Sequence, residues 1–179
     1  MIMGPRLRQF TLTTHVTCSV GLLGAIAGFL ALAVAGLTSQ DAQMVRAAYL
    51  AMELTGWFVI VPSTLASLLT GLVQSMGTTW GLFRHYWVLA KLLLMVFATV
   101  VLLLKMKLIG YVAGVAAKTT LSSVDLRAAR TELVIHAAAG LLVLFVPAAL
   151  SVYKPRGTTR HGWRKDYEQR TLSRSIQNR

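Results

Sequence analysis

VTCSVGLLGAIAGFLALAVAGL, residues 16–37, carries no charged side chain. A helix crossing the hydrocarbon of a bilayer needs about 20 such residues at a rise of about 1.5 Å each. Arg6 and Arg8 precede the stretch and AVAG stands near its end, the pattern of a secretory signal. Its apolar core is longer than the roughly 7–15 residues of a signal peptide's hydrophobic region, so it reads as a retained membrane span.

Three more stretches of this kind follow, at about residues 51–73, 86–104 and 133–152. Charged residues make up 13% of the chain, about half the level of a soluble protein, and the mean hydropathy is +0.62. No apolar/polar alternation of a β-barrel is present. The expected fold is therefore all-α: a transmembrane bundle of four helices over residues 1–152, followed by a basic tail, 153–179. The single cysteine, Cys18, excludes an internal disulfide and a CxxC motif. The net charge of +12 would point to nucleic acid in a soluble chain. Here the basic residues flank apolar segments, so the expected partners are the bilayer and its anionic headgroups, with no nucleic acid.

Four spans put both termini on one side. Arg6, Arg8, Arg84 and the eight Lys/Arg after Val152 fall on that side, eleven in all. Six fall on the other: Arg46, Lys105, Lys107, Lys118, Arg127 and Arg130. The positive-inside rule places both termini in the cytoplasm. Residues 74–85 then form a short cytoplasmic connection. Residues 105–130 form the longest loop, facing out, with a short interfacial helix after Ser122 or Ser123 in SSVDLRAARTEL. The tail, with breaks at Pro155 and Gly157, suits an anionic surface, where Trp163 and Tyr167 would sit at the interface.

Helical spacing assigns faces. Gly21, Gly24, Gly28, Ala31 and Ala35 share a stripe with a GxxxG step, which favours close helix packing, while His15 and Cys18 project from another face. Glu53, Gly56, Ile60, Thr64, Ser67 and Gly71 form a face toward protein in the second span. Glu132, His136, Ala139, Gly140, Val143, Pro147 and Ser151 do so in the fourth.

Ionisable groups inside spans are costly and mark sites by default. Glu53, Glu132 and His136 fall at similar depth, and imidazole with carboxylates suits a divalent cation or a proton relay. Met44, Met52 and Met106 lie near the same surface, and thioethers bind copper(I). The alternative is a Glu–His hydrogen bond that locks two helices. His15 and His85, both at the cytoplasmic end, are the one pair at matching depth for axial ligation of a b-type haem; the alternative is two interfacial histidines. Lys91 lies about 9 Å into its span at helical rise. It can snorkel to the headgroups beside Arg84 and Trp87, or face the bundle and read an anionic lipid or ligand.

LASLLTGLVQSMGTTWGLFRHYWVLAKLLL (residues 65–94), with a histidine-bearing last span and LSVYKPRG, resembles a family of small, uncharacterised bacterial four-span integral membrane proteins. The resemblance covers nearly the whole chain and implies a bacterial cytoplasmic membrane. Gly77-Thr78, through Arg84 to Lys91-Leu92, also resembles a segment of copper-resistance D-type membrane domains, which implies copper passage. The chain departs from these in having no Met- or His-rich array. No phosphate loop, HExxH, GxSxG or paired-carboxylate motif is present. The expected function is that of a non-enzymatic membrane protein, an oligomer or a subunit of a larger complex. The alternative is a metal-, proton- or haem-binding protein holding haem b, copper or zinc.

Overall fold

The computed structural model describes residues 4–77, 86–118 and 124–153. Among these every element is helical and no strand occurs. Helix α1, Pro5–Thr38, starts with proline at its first position, where a missing N–H costs nothing. It ends in a three-residue turn. Ser39 N–H bonds Ala35 O at 3.0 Å, and the Asp41 carboxylate caps the next helix by accepting from Gln43 N–H at 2.9 Å. The hairpin between the first two helices is therefore tight.

Helix α2, Ala42–Gly77, contains one π turn, Gly56–Ile60, closed by a bond from Val61 N–H to Gly56 O. Pro62 follows directly. It has no N–H to give, and its ring opposes the carbonyl four residues back. A wider turn just before it relieves that conflict. The turn also sets the phase. Met52, Gly56, Ile60 and Thr64 are all buried at steps of four. On a plain α-helix each such step drifts by about 40°; the inserted residue takes up that drift and returns Thr64 and Ser67 to the inner face. The second-span face read from the sequence is the buried one.

Helix α3 is Tyr86–Lys118 and helix α4 is Val124–Tyr153. α1 packs on α2 and α4, and α3 packs on the same two, so consecutive helices are neighbours in a ring, with α1 opposite α3. The start of α1, the end of α2, the start of α3 and the end of α4 share one end, here the terminal end. The α1–α2 turn marks the far end.

All four helices contain stretches long and apolar enough to cross a membrane: Pro5–Thr38, Ala42–Gly77, Tyr86–Lys118 and Arg127–Ser151. Large apolar side chains are exposed around the outside, among them Leu69, Leu93, Phe97, Leu104, Leu142 and Phe145. In water that surface would be untenable; against lipid it is the expected one. The chain has the constitution of a multi-pass membrane protein.

The tightest packing lies toward the far end, where Ala33, Tyr49, Met52, Met106, Val112 and Ala113 are sealed from solvent. The middle and the terminal half differ. The buried polar residues Thr11, Thr64, Ser67 and Thr99 all lie there.

Three expectations are corrected. Residues 105–130 are not a loop with a separate short helix. α3 runs on through Lys105 and Lys107 to Lys118, and α4 starts at Val124 and continues unbroken; Ser122 and Ser123 lie outside the described residues. The fall in hydropathy at Lys105 leaves the backbone hydrogen-bonding pattern intact, because a lysine is a good helix former. In α4 the buried face is Leu133, Ala137 and Leu144, about one residue round from the expected one; Ala139 is exposed and Gly140 faces open space. Two leucines and an alanine fill that interface, and Glu132, His136, Ala139 and Gly140 flank it. The glycine stripe of α1 meets no helix of this bundle: a Cβ at Gly21, Gly24 or Gly28 would touch nothing within 4 Å. The glycine of α1 that a neighbour approaches closely is Gly36, under the Tyr49 ring.

Candidate functional site

Two polar centres occupy the bundle. The far-end centre contains the residues read from the sequence as a metal or proton site. Lys105 Nζ donates to Glu132 Oε1, an ion pair joining α3 to α4 with both side chains partly exposed. His136 Nδ1 lies 2.8 Å from the Glu132 carbonyl oxygen. A carbonyl only accepts, so His136 donates from Nδ1–H. Glu53 turns to α3 instead: its Oε1 lies 3.3 Å from where a Cβ on Gly110 would stand. Glu132 is thus engaged by Lys105, His136 by its own helix, and Glu53 lies on the α3 backbone.

Among the described residues no three His, Cys, Asp or Glu side chains converge to hold a metal ion, so the expected set Glu53, Glu132 and His136 is not gathered. The i,i+4 spacing does bring His136 to Glu132, but to its carbonyl and not its carboxylate. The methionines divide as well: Met52 and Met106 are core residues, whereas Met44 is exposed. Met106 is there to fill space, its Cε 2.9 Å from a Cβ placed on Gly56.

Sequence reasoning missed a tie of three helices at this end. Arg130 Nε donates to Tyr49 Oη at 3.0 Å, and its Nη2 donates to the Gly36 carbonyl. The guanidinium also lies 5.6 Å from the Tyr49 ring centroid, within cation–π range. One side chain of α4 so joins α1 and α2. Arg130 had been counted as a loop charge; the aromatic and glycine that receive it stand 81 and 94 residues away, beyond any local pattern.

The terminal-end centre is built on His15, which faces inward from α1. Its Nδ1 lies 3.0 Å from Thr70 Oγ1 and 3.1 Å from the Ser67 carbonyl oxygen on α2. The Thr70 hydroxyl donates to Ala66 O at 2.7 Å, so it accepts from His15 Nδ1–H. One turn along, Ser19 and Ser67 hydroxyls meet at 2.8 Å. Gly71 makes room: a Cβ there would stand 3.0 Å from His15 Cε1. At the exposed margin of the same end Lys91 Nζ donates to Ser151 Oγ at 2.6 Å, and that hydroxyl donates onward to Pro147 O at 2.8 Å. The ammonium lies 4.5 Å from the Trp87 ring centroid. Spacing had placed Lys91 and Trp87 on one face, and they meet. His85 and Arg84 lie outside the described residues, so the His15–His85 haem pair and the Arg84 anchor lie outside them too.

Fold and polar centres define a class: an all-α bundle of four helices of membrane-spanning length and composition. No family model, curated protein or solved structure matches the chain.

Proposed function

We propose that the chain is a non-enzymatic multi-pass protein of a bacterial cytoplasmic membrane that associates, with a second copy of itself or within a larger membrane complex, through the small-residue face of α1. The observation that carries this is the outward direction of that face. Gly21, Gly24 and Gly28 lie on the outside of the bundle with open space before each, and Ala31 continues the line in the exposed class. In lipid, helices associate by van der Waals contact between closely approaching backbones, and a smooth glycine groove permits that approach. A non-enzymatic role is supported by how the polar groups are used: Arg130, Lys105 and His15 each tie one helix to another. Both termini are assigned to the cytoplasm on the eleven-to-six division of Lys and Arg.

The test is energy transfer between donor- and acceptor-labelled copies of the full chain in bilayers. The wild type should transfer, and Gly24→Leu with Gly28→Leu should abolish transfer while leaving the helical circular dichroism unchanged. Equal transfer in wild type and variant would remove the α1 face from the function. No transfer in either would leave a larger complex as the setting, to be sought by co-purification with and without the same substitutions.

A further inference from the structure

We propose that the hydrocarbon of the bilayer surrounds only the terminal-end part of the bundle. The far end projects from it into headgroups and water as a helical head, made of residues 35–38 of α1, 42–53 of α2, 105–118 of α3 and 124–132 of α4. The inference rests on the membrane reading above and adds where the bilayer meets the chain.

Two surfaces of different chemistry meet along the helices. On the belt side lie α2 from residue 54, α3 up to 104 and α4 from 133. Among the described residues of these stretches the charged one is Lys91, near the terminal edge. Val34, Leu54, Leu104 and Ile135 are the last large apolar side chains exposed on this side, one on each helix. Beyond them, among the described side chains, only Met44 and Tyr111 are large, apolar and exposed. Charge begins at the same level on three helices. Glu53 directly precedes Leu54, Lys105 directly follows Leu104, and Glu132 stands three residues before Ile135. Farther out Asp41, Arg46, Lys107, Lys118 and Arg127 are exposed, and exposed uncharged positions between them include the small residues Ala47, Gly114 and Ala128.

The lengths agree with this boundary. At helical rise residues 54–77 measure about 36 Å, 86–104 about 28 Å and 133–153 about 31 Å, against about 30 Å of hydrocarbon. The whole of α3, 33 residues, measures about 50 Å. About 20 Å of it therefore exceeds the hydrocarbon. A helix tilts to keep an apolar excess in lipid. The excess of α3 carries Lys105, Lys107 and Lys118, which water solvates and hydrocarbon does not.

The interior changes at the same level. Water drives apolar burial, whereas lipid gives helices no such drive. Tyr49, Met52, Val112 and Ala113, sealed from solvent, belong to the head, and the buried hydroxyls of Thr11, Thr64, Ser67 and Thr99 belong to the belt. The Lys105–Glu132 pair, partly exposed on both sides, then lies at the boundary, where its charges keep part of their hydration.

The test is thiol labelling of the full chain in vesicles of phosphatidylcholine and phosphatidylglycerol. Cys18→Ser gives a background without thiols. Ala47→Cys, Gly114→Cys and Ala128→Cys report on the head, and Leu69→Cys, Phe97→Cys and Leu142→Cys on the belt, all at exposed positions. A sulfonated maleimide is admitted to both faces by freeze–thaw, and reaction in dodecyl sulfate shows that each thiol can be labelled. The head set should react at least about tenfold faster than the belt set, because a thiol in apolar surroundings ionises poorly. Equal protection of both sets overturns the projection and leaves the membrane reading standing. Rapid labelling of both sets overturns the two together. Should one variant lose its helical circular dichroism, the other two of its set decide.

Discussion

The ring of Tyr49 fills the space that a side chain at position 36 would need. A Cβ on Gly36 would stand 2.8 Å from Tyr49 Cζ and 2.9 Å from Cε2. The same glycine offers its carbonyl to Arg130, whose Nε reaches the Tyr49 hydroxyl. Three helices meet on one backbone carbonyl and one phenol. Gly36→Ala should therefore destabilise the bundle by about 1–3 kcal/mol, the usual cost of overpacking a fixed ring. This outweighs the roughly 1 kcal/mol that alanine gains over glycine inside a helix. Reversible unfolding in mixed micelles measures it, and an unchanged or raised midpoint would show that Tyr49 is not held as described.

Gly56→Ala makes a contrast. The nearest atoms to its Cβ would be Met106 Cε at 2.9 Å and Sδ at 3.1 Å. These are the far end of an unbranched, flexible side chain, which can swing where a ring cannot. The cost should be smaller than at Gly36, below about 1 kcal/mol once helix propensity is counted. The same unfolding measurement ranks the two. A larger loss at Gly56 would mean that the π turn, and not the methionine, sets the tolerance there.

The outward glycines should behave in the opposite sense. Gly21→Ala, Gly24→Ala and Gly28→Ala meet nothing within 4 Å, so each should stabilise the isolated bundle by up to about 1 kcal/mol through propensity alone. Measured in monomeric detergent micelles, this separates the bundle's own stability from its association. A destabilisation under those conditions would mean that the stripe packs inside the bundle after all.

The number of helices and their membrane character were legible because twenty-residue apolar runs have few other readings. The inward face of the second span was legible too, since Gly56, Ile60, Thr64 and Ser67 are buried as spaced. Helix ends were not: Lys105 marks where hydropathy falls, and α3 continues to Lys118. Hydropathy reports the solvent, whereas a helix ends when its hydrogen bonds do. Glu53 was misplaced for a different reason. Depth along a span can be counted from sequence, but which neighbour a side chain faces depends on helix order and rotation, and these turn Glu53 to Gly110 on α3. Arg130 was hidden by the same limit. His15 could have been recognised as inward-facing, because Ser19 and Leu22 continue its stripe at helical steps.

The bond between Ser19 and Ser67 gives the most direct reading of how the terminal half is held. Ser67 is buried, and its hydroxyl meets that of Ser19 at 2.8 Å across the α1–α2 contact. Removing either hydroxyl leaves the other facing an apolar methyl, so each single substitution to alanine carries a desolvation cost beyond the lost bond. Removing both leaves no orphan. The double-mutant cycle should therefore show a coupling of about 0.6 kcal/mol, the typical worth of an interhelical hydrogen bond in a membrane protein, and no more than about 1.7. A coupling near zero would mean that water already serves both hydroxyls. The terminal half would then be a wet cavity, and its hydroxyls would line it without joining α1 to α2.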